Sequence, residues 1–284
     1  MRASHPPLCT PALVLRSLPY GESDRIVTLL TAQHGKISAL ARGAASSRRR
    51  FGAALSPFGF GEATLRERRG QDLFLLEELH VARGFARLPL ELGRYSHACY
   101  ACELCLHLCP PHEPEPVVLE LVLGLLSYLD GLPLESKPAP EVLRAFEIQL
   151  LAAVGLGVQL RECAACGDEV PALQAPERLP FDVARGGVLC PERCFHGPVP
   201  LHIGPLGGGL PEEVRGALLQ LAEVPLGALA AGEPVGLEAE ALRLSRAVQA
   251  TCRDVLLSVL RHHLGRDLRA VEFIAKMNAL GGAP

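Results

Sequence analysis

Along the first 83 residues, short apolar runs alternate with turn signals at a spacing typical of β-strands. The turns include Pro19-Tyr-Gly and His34-Gly, and the run between them is rich in β-branched side chains. The predicted strands cover residues 12–18, 25–31, 36–41, 58–66 and 72–79. Five short strands within about 80 residues favour a small closed barrel such as the OB-fold.

From about residue 88 the composition becomes typical of helices, and Pro or Gly residues end several of the runs. The predicted helices cover residues 90–109, 117–129, 141–154, 211–221, 238–263 and 267–280. In the fifth helix the apolar stripe expected to face the core comprises Leu242, Val248, Val255, Leu256, Val259 and Leu260.

Residues 161–210 interrupt the helices with a segment that is rich in Cys, Pro and Gly. We therefore predict an α+β multidomain protein with an OB-fold barrel, a central and C-terminal all-α domain, and an inserted four-Cys zinc module. The predicted divisions are residues 1–83 for the nucleic-acid-binding barrel, 84–160 and 206–284 for the two parts of the helical domain, and 161–205 for the zinc insertion.

Four cysteines in the insertion have the spacing of a zinc ribbon. Cys163 and Cys166 form one pair, and after a connector of 23 residues Cys190 and Cys194 form a second. Each pair can hold one edge of a tetrahedron of thiolates, with residues 181–189 predicted as a β-hairpin that leads into the second pair. Four thiolates leave no open coordination position, so we expect one structural Zn²⁺ ion. Four reduced thiols without a metal are the alternative.

A second cysteine run, Cys99, Cys102, Cys105 and Cys109 followed by Pro110, matches an iron–sulfur motif. The residues around this run are typical of one continuous helix without glycine. In such a helix the four cysteines fall on one face. We interpret them as small core residues, because a metal cluster needs a loop around it.

The net charge of −3 is the sum of two unlike segments. Residues 1–83 hold 12 Lys and Arg against 7 Asp and Glu, whereas residues 84–284 hold 16 against 24. This asymmetry indicates a surface for polyanions on the barrel alone. Compositional bias is our preferred explanation for the excess of Arg over Lys.

A basic loop with three consecutive arginines follows the third predicted strand. Adjacent arginines repel one another without a counter-charge, which favours a nucleic-acid partner. We interpret Phe51, Phe58 and Phe60 as barrel core rather than as base-stacking platforms. The candidate phosphate contacts are Lys36, Arg42, Arg48, Arg49, Arg50, Arg66, Arg68 and Arg69.

Familiar catalytic motifs are missing from the sequence: it has no phosphate-binding Gly-x-x-x-x-Gly-Lys loop, no Gly-x-Ser-x-Gly and no His-Glu-x-x-His. We therefore expect a binding protein and not an enzyme. The longest apolar stretch, residues 117–129, is too short to span a membrane, and no secretory-signal pattern precedes the barrel. The expected location is the cytoplasm.

Three motifs in the predicted barrel are Gly21-Glu-Ser-Asp24, Thr31-Ala-Gln-His-Gly-Lys36 and Ala41-Arg-Gly-Ala44. Together with the helix start at Tyr95, the four-cysteine insertion and residues 263–269, they resemble the RecO family of bacterial recombination mediators. The chain departs from the family at residues 45–47, which separate the third motif from the arginines.

The resemblance implies an OB-fold, a helical domain and a zinc module that only part of the family carries. It implies binding of single- and double-stranded DNA, annealing of complementary strands, and partnership with RecR. With RecR, and with RecF in some settings, such proteins load RecA onto DNA coated by single-strand-binding protein (SSB), whose C-terminal tail they can contact. It also implies an association with the nucleoid.

Two other classes of function remain compatible with these patterns. One is an RNA-binding or translation-associated protein built from an OB-fold and a zinc module. The other, less favoured, is a metal-dependent enzyme that uses the cysteines of residues 99–109.

Overall fold

The computed structural model describes residues 6–47, 50–51, 54–68, 71–133, 136–173, 178–191, 193–194, 209–227 and 244–280. The chain divides into two compact units. The first comprises residues Met1–Lys137 and Arg269–Pro284, and the second comprises Pro138–Leu268. Within the described ranges, no helix is both long enough and apolar enough to cross a membrane.

Five strands form the closed barrel of the first unit. They are β1 (Leu8–Tyr20), β2 (Asp24–Thr31), β3 (Gly35–Ala41), β4 (Phe60–Arg68) and β5 (Gln71–Arg83). Their order is β1-β2-β3-β5-β4, with β4 closing on β1 and a parallel pairing between β3 and β5. This is the strand order of an OB-fold, so the predicted fold class is confirmed.

Successive side chains along each strand point alternately to the inside of the barrel and to its outer face. Ala12, Val14, Val27, Leu29 and Ile37 are among the side chains that fill the interior. Because directly paired residues point to the same face of a sheet, the register assigns the intervening side chains to the outer face.

The pairing of β3 with β5 is short, covering only residues 38–40 of β3. Beyond it, the connector between the first two helices pairs with the start of β3: Pro111 forms a parallel bridge with Lys36, and the His112 N–H donates to the Lys36 carbonyl oxygen at 3.1 Å. A segment from the helical part of the sequence therefore completes this edge of the barrel.

Two helices follow the barrel in the first unit, and a third returns to it. These are α1 (Leu92–Leu108), α2 (Pro116–Gly131) and α6 (Arg269–Leu280), with α1 packed against α2, α6 and β1. The side chain of Arg94 is fully buried in α1 and donates to the carbonyl oxygens of Leu132 and Pro133. It thereby attaches the end of α2 to the start of α1.

Among its described residues, the second unit contains three helices and short strands around the four cysteines. The helices are α3 (Pro140–Ala153), α4 (Glu212–Ala222) and α5 (Arg246–Leu264). The strands are β6 (Arg178–Leu179), β7 (Phe181–Asp182), β8 (Gly187–Val188) and β9 (Leu210–Pro211). The pairs β7–β8 and β6–β9 are both antiparallel, so the hairpin predicted for residues 181–189 is confirmed.

All six predicted helices have a counterpart among the described residues, and their boundaries differ by one or two residues except at the start of the fifth. The fifth begins at Arg246, because the Ser245 side chain caps the N–H of Val248. The predicted start at residues 238–243, including Leu242, lies outside the described residues. The rest of the predicted apolar stripe, from Val248 to Leu260, is buried.

Candidate metal centre and nucleic-acid interface

The structure brings together the four cysteines of the predicted zinc site. The sulfur atoms of Cys163, Cys166, Cys190 and Cys194 all lie within 4.8 Å of one another. The sulfurs of Cys166 and Cys190 are 3.7 Å apart. A tetrahedron with metal–sulfur bonds of about 2.3 Å has edges of about 3.8 Å, so the quartet can hold one metal ion in closed tetrahedral coordination.

Two tight turns and the β7–β8 hairpin position these thiols. In the first turn, the Gly167 N–H donates to the Cys163 carbonyl oxygen at 2.8 Å, and Gly167 has the positive φ of 78° that such a turn requires. In the second, the Cys194 N–H donates to the Cys190 carbonyl oxygen at 3.3 Å. The Ala164 N–H donates to the carbonyl oxygen of Val188 in the hairpin, which joins the two turns.

Interactions within the quartet shift the pKa values of Cys163 and Cys194 in opposite directions. Burial acts to raise the pKa of Cys163, but hydrogen bonds from the backbone N–H groups of Cys190, Ala165 and Cys166 lower that pKa to about 6. Hydrogen bonds with the thiols of Cys190 and Cys166 raise the pKa of Cys194 to about 12. A divalent cation bound by the quartet would stabilise its sulfurs as thiolates, so metal binding would release protons.

A buried arginine on α4 supports the first cysteine turn. The Arg215 guanidinium donates to the carbonyl oxygens of Leu160 and Val170, each at 2.6 Å, and of Pro171 at 3.0 Å. Leu160 precedes Cys163 and the other two residues follow Cys166, so the guanidinium holds both sides of the turn. The sequence pattern did not identify Arg215, because nothing in that pattern distinguishes this arginine from an ordinary residue of an amphipathic helix.

The second cysteine run lies on α1, as predicted. Cys102 and Cys105 are buried within the helix, Cys109 is buried at its C-terminal cap, and Cys99 is half-buried. Burial raises the pKa of the Cys102 thiol, as expected for a small core residue. In the described ranges, only the quartet of the second unit gathers three or more metal-ligating side chains at a common point.

The described part of the basic loop presents two exposed arginines beside each other. The Arg50 guanidinium donates to the Arg42 carbonyl oxygen at 2.9 Å and to the Ser47 hydroxyl at 3.0 Å. It also lies 5.1 Å from the ring centroid of Phe51. Within the described ranges neither arginine has a carboxylate partner, so both charges face solvent.

Two of the three phenylalanines assigned to the core are buried. Phe51 and Phe58 are each 3% exposed, whereas Phe60, which begins β4, is half-buried. The assignment of the first two to the core is therefore confirmed, and their rings are not available as base-stacking platforms.

The remaining candidate cations are distributed over the barrel. Lys36 lies at the opposite end of β3 from Arg42, where its ammonium donates to the Leu106 carbonyl oxygen at 2.6 Å, and burial lowers its pKa. Arg66 lies on the outer face and pairs with Glu77 at 2.8 Å. Arg68 is half-buried at the end of β4. The structure thus brings Arg42 and Arg50 together but leaves Lys36 apart from them.

Three predicted phosphate contacts, Arg48, Arg49 and Arg69, lie outside the described residues. Their roles, like those of the other candidate cations, stay predictions.

Known proteins match this chain along almost its whole length. A family model described as Recombination protein O N terminal matches residues 7–85, and one described as Recombination protein O C terminal matches residues 89–272. The chain belongs to the RecO family. The DNA repair protein RecO of Anaeromyxobacter sp. strain K is 44% identical over 271 residues, which are 95% of this chain and 97% of that protein. The DNA repair protein RecO of Myxococcus xanthus strain DK1622 is 37% identical over 267 residues, 94% of this chain and 96% of that protein.

In this member of the RecO family, the two candidate sites fall in different matched regions. The basic loop lies within the N-terminal region of the family, and the cysteine quartet lies within the C-terminal region. The family resemblance inferred from the sequence motifs is therefore confirmed.

Proposed function

We propose that this chain is a mediator of homologous recombination and DNA repair that binds single- and double-stranded DNA and anneals complementary strands. With RecR it helps to load RecA onto SSB-coated DNA, with RecF in some settings, and it contacts the SSB C-terminal tail. It acts by binding, without catalytic chemistry of its own, in the cytoplasm in association with the nucleoid. Its membership of the RecO family along 95% of the chain carries this proposal.

The basic loop supports a phosphate-directed mode of binding. Arg42 and Arg50 are exposed neighbours, and the flanking Arg48 and Arg49 add two further cations to the same loop. Cations of this kind contact the backbone of DNA without reading its sequence. Arg66, Arg68, Arg69 and Lys36 extend the proposed contacts over the barrel, whose segment 1–83 carries the excess of positive charge.

The cysteine quartet supports one structural zinc ion held by Cys163, Cys166, Cys190 and Cys194. The four ligands are all sulfur, and the 3.7 Å separation of two of them fits the edge of a tetrahedral zinc site. A zinc ion there would crosslink the two turns and stabilise the inserted module, which we assign to residues 161–205 between the two parts of the helical domain.

The salt dependence of DNA binding tests the basic loop. Each phosphate that a cation neutralises on a single strand adds about 0.7 to the slope of log affinity against log salt. Changing Arg42, Arg48, Arg49 and Arg50 to Ala should therefore flatten the slope by about 0.7 for each phosphate that is no longer neutralised. The matched control is Arg185→Ala with Arg253→Ala, which removes two exposed arginines that pair with carboxylates in the second unit. An unchanged slope in the loop variant would refute this site.

Strand annealing on SSB-coated DNA, with and without RecR, tests the function itself. The wild-type chain should anneal complementary oligonucleotides, and the loop variant should do so slowly because it gathers fewer strands. A wild-type chain that fails to anneal DNA but binds structured RNA would contradict the proposal in favour of an RNA-binding protein.

A further inference from the structure

The last turn of α1 places two buried thiols side by side. Cys105 lies within the helix, and Cys109 caps its C-terminal end with an N–H that donates to the Cys105 carbonyl oxygen at 3.2 Å. The side chains also meet, because the Cys105 thiol donates a hydrogen bond to the Cys109 sulfur. Residues four apart on a helix have Cα atoms about 6 Å apart, which is within the span of a disulfide. The pair is therefore a dithiol that a local change at the end of the helix can close.

The surroundings of this pair favour a thiolate at one of its two sulfurs. The hydrogen bond from Cys105 lowers the pKa of the Cys109 thiol, and the Lys36 ammonium acts in the same direction, against burial and the Glu115 carboxylate. The same hydrogen bond, together with burial, raises the pKa of Cys105. Lys36 is fixed beside the pair by its hydrogen bond to the carbonyl oxygen of Leu106. Cys109 thus has the character of an attacking thiolate and Cys105 that of a resolving thiol.

A groove with a volume of about 510 Å³ lies next to the pair. Its lining includes Leu106 and Pro111, which flank Cys109 in the chain, and the Lys36 side chain that acts on the Cys109 thiol. Cys109 itself is only 2% exposed, so the connector between α1 and α2 has to open locally before a reagent reaches the sulfur. That connector is held to β3 by the short pairing of Pro111 and His112 with Lys36. A local opening of this kind admits a small oxidant more readily than a bulky one.

We propose that Cys105 and Cys109 form an oxidation site, a dithiol that hydrogen peroxide converts to a disulfide. The Cys109 thiolate attacks one peroxide oxygen, the O–O bond breaks, and the products are a sulfenic acid and a hydroxide ion that takes up a proton to become water. The Cys105 sulfur then attacks the Cys109 sulfur and displaces its hydroxyl group, which leaves as a second water with the proton of Cys105. The two sulfurs together lose the two electrons that the peroxide gains.

Closing the disulfide loosens the connector that completes the edge of the barrel. Cβ atoms four residues apart on a helix are about 5–6 Å apart, whereas a disulfide holds them about 4 Å apart. The last turn of α1 therefore has to distort, and this turn carries the Leu106 carbonyl oxygen to which Lys36 donates. Oxidation thus weakens the attachment of α1 and the connector to the start of β3.

Peroxide treatment of the full-length chain tests the site, with peptide masses as the readout. Unreacted thiols are blocked with N-ethylmaleimide, and trypsin then releases residues 95–144 as one peptide, because it cuts after Arg94 and Arg144 while Pro138 protects Lys137. The cysteines in this peptide are Cys99, Cys102, Cys105 and Cys109. After peroxide, two of them should escape the blocking reagent in a form about 2 Da lighter than the dithiol. Fragmentation should place the bond between Cys105 and Cys109, and dithiothreitol should reverse it.

Two alanine variants provide the controls. Cys109→Ala removes the attacking sulfur and should abolish the disulfide in this peptide. The matched control is Cys99→Ala with Cys102→Ala, which removes the two cysteines of the preceding turns of α1 and should leave the disulfide unchanged. Fragmentation of the wild-type peptide locates the bond without any variant, so the test stands even if Cys109→Ala fails to fold.

Hydrogen exchange of the oxidised chain measures the structural consequence. The His112 amide should exchange faster than in the reduced chain, while the Ala39 amide in the middle of β3 should keep its protection. A disulfide between Cys99 and Cys102, or a wild-type peptide that keeps four blocked thiols under peroxide, would overturn the site. Equal exchange of the His112 amide in both forms would overturn the loosening of the connector. These readouts are independent of DNA, so they stand or fall apart from the proposed function.

Discussion

Gly35 illustrates how much one residue can depend on a distant part of the chain. It is the first residue of β3 and has a φ of 60°, a conformation that favours glycine. A Cβ atom added there, however, would lie 1.9 Å from the carbonyl oxygen of Glu113 in the α1–α2 connector. The side chain is therefore excluded by close packing of two backbone segments as well as by the dihedral angle.

Gly35→Ala should destabilise β3 by about 3 kcal/mol, because it combines a left-handed alanine with a backbone clash. The measurement is the free energy of opening of the β3 amides, obtained by native-state hydrogen exchange. Gly21→Ala is a matched control with a φ of 62° and open space around the added Cβ, and it should cost only about 1 kcal/mol. Equal costs for the two variants would show that the connector does not pack on the turn as described.

At the scale of elements, α4 and the cysteine turns are joined by a single side chain. Arg215 is 5% exposed and satisfies three backbone carbonyls on both sides of the first turn. Its own charge is balanced by Glu212, one turn earlier on α4, at 3.2 Å. The helix thereby holds the thiols of the first turn in position before any metal binds.

Arg215→Met should weaken zinc binding by ~10-fold or more, as for other residues that orient metal ligands from outside the coordination sphere. It should also lower stability by about 3 kcal/mol, because buried carbonyls would lose charged hydrogen-bond donors. Competition with a chromogenic chelator measures the first effect and thermal unfolding measures the second.

The control for this prediction is Arg185→Met, which removes an exposed arginine from the β7–β8 hairpin of the same region. It should leave zinc affinity unchanged. If Arg215→Met retains wild-type zinc affinity, the guanidinium supports only the local fold and does not position the ligands.

Elements were predicted well where composition and turn signals are strong. The short apolar runs and turns in residues 1–83 predicted five strands, and a glycine-free, helix-forming composition that ends at Pro110 predicted α1 and therefore the core role of Cys102 and Cys105. Strand ends were predicted less well: β5 continues to Arg83, beyond the expected residue 79. Pairing with β4 stabilises those last residues. Such pairing depends on another strand and therefore cannot be predicted from the local sequence pattern.

At the scale of the whole molecule, positive charge and cysteine ligands are segregated between the two units. The barrel, with its excess of cations, belongs to the first unit, and the cysteine quartet belongs to the second. A net charge of −3 therefore says little about which ligands the protein binds. The division into four segments at residues 83, 160 and 205 stays a prediction.

Removing the metal should unfold the cysteine module without unfolding the barrel. In hydrogen-exchange experiments after chelation, amides of the β7–β8 hairpin should lose protection, while those of β1–β3 should keep it. Metal analysis of protein purified without chelators should find one zinc ion per chain. Protein that contains no zinc, or a hairpin whose protection survives chelation, would contradict the structural role of the metal.

Sequence by itself determined the family, the barrel class and the identity of the four thiols, because motifs, periodicity and ligand spacing are local properties of the chain. Only the tertiary structure decided which side chains meet. In the sequence Lys36 is one candidate cation among several, whereas in the structure its hydrogen bond to the Leu106 carbonyl oxygen links it to the end of α1. Arg215 likewise acquires its hydrogen-bond partners from a segment remote in sequence, because hydrogen bonding depends on how the whole chain packs.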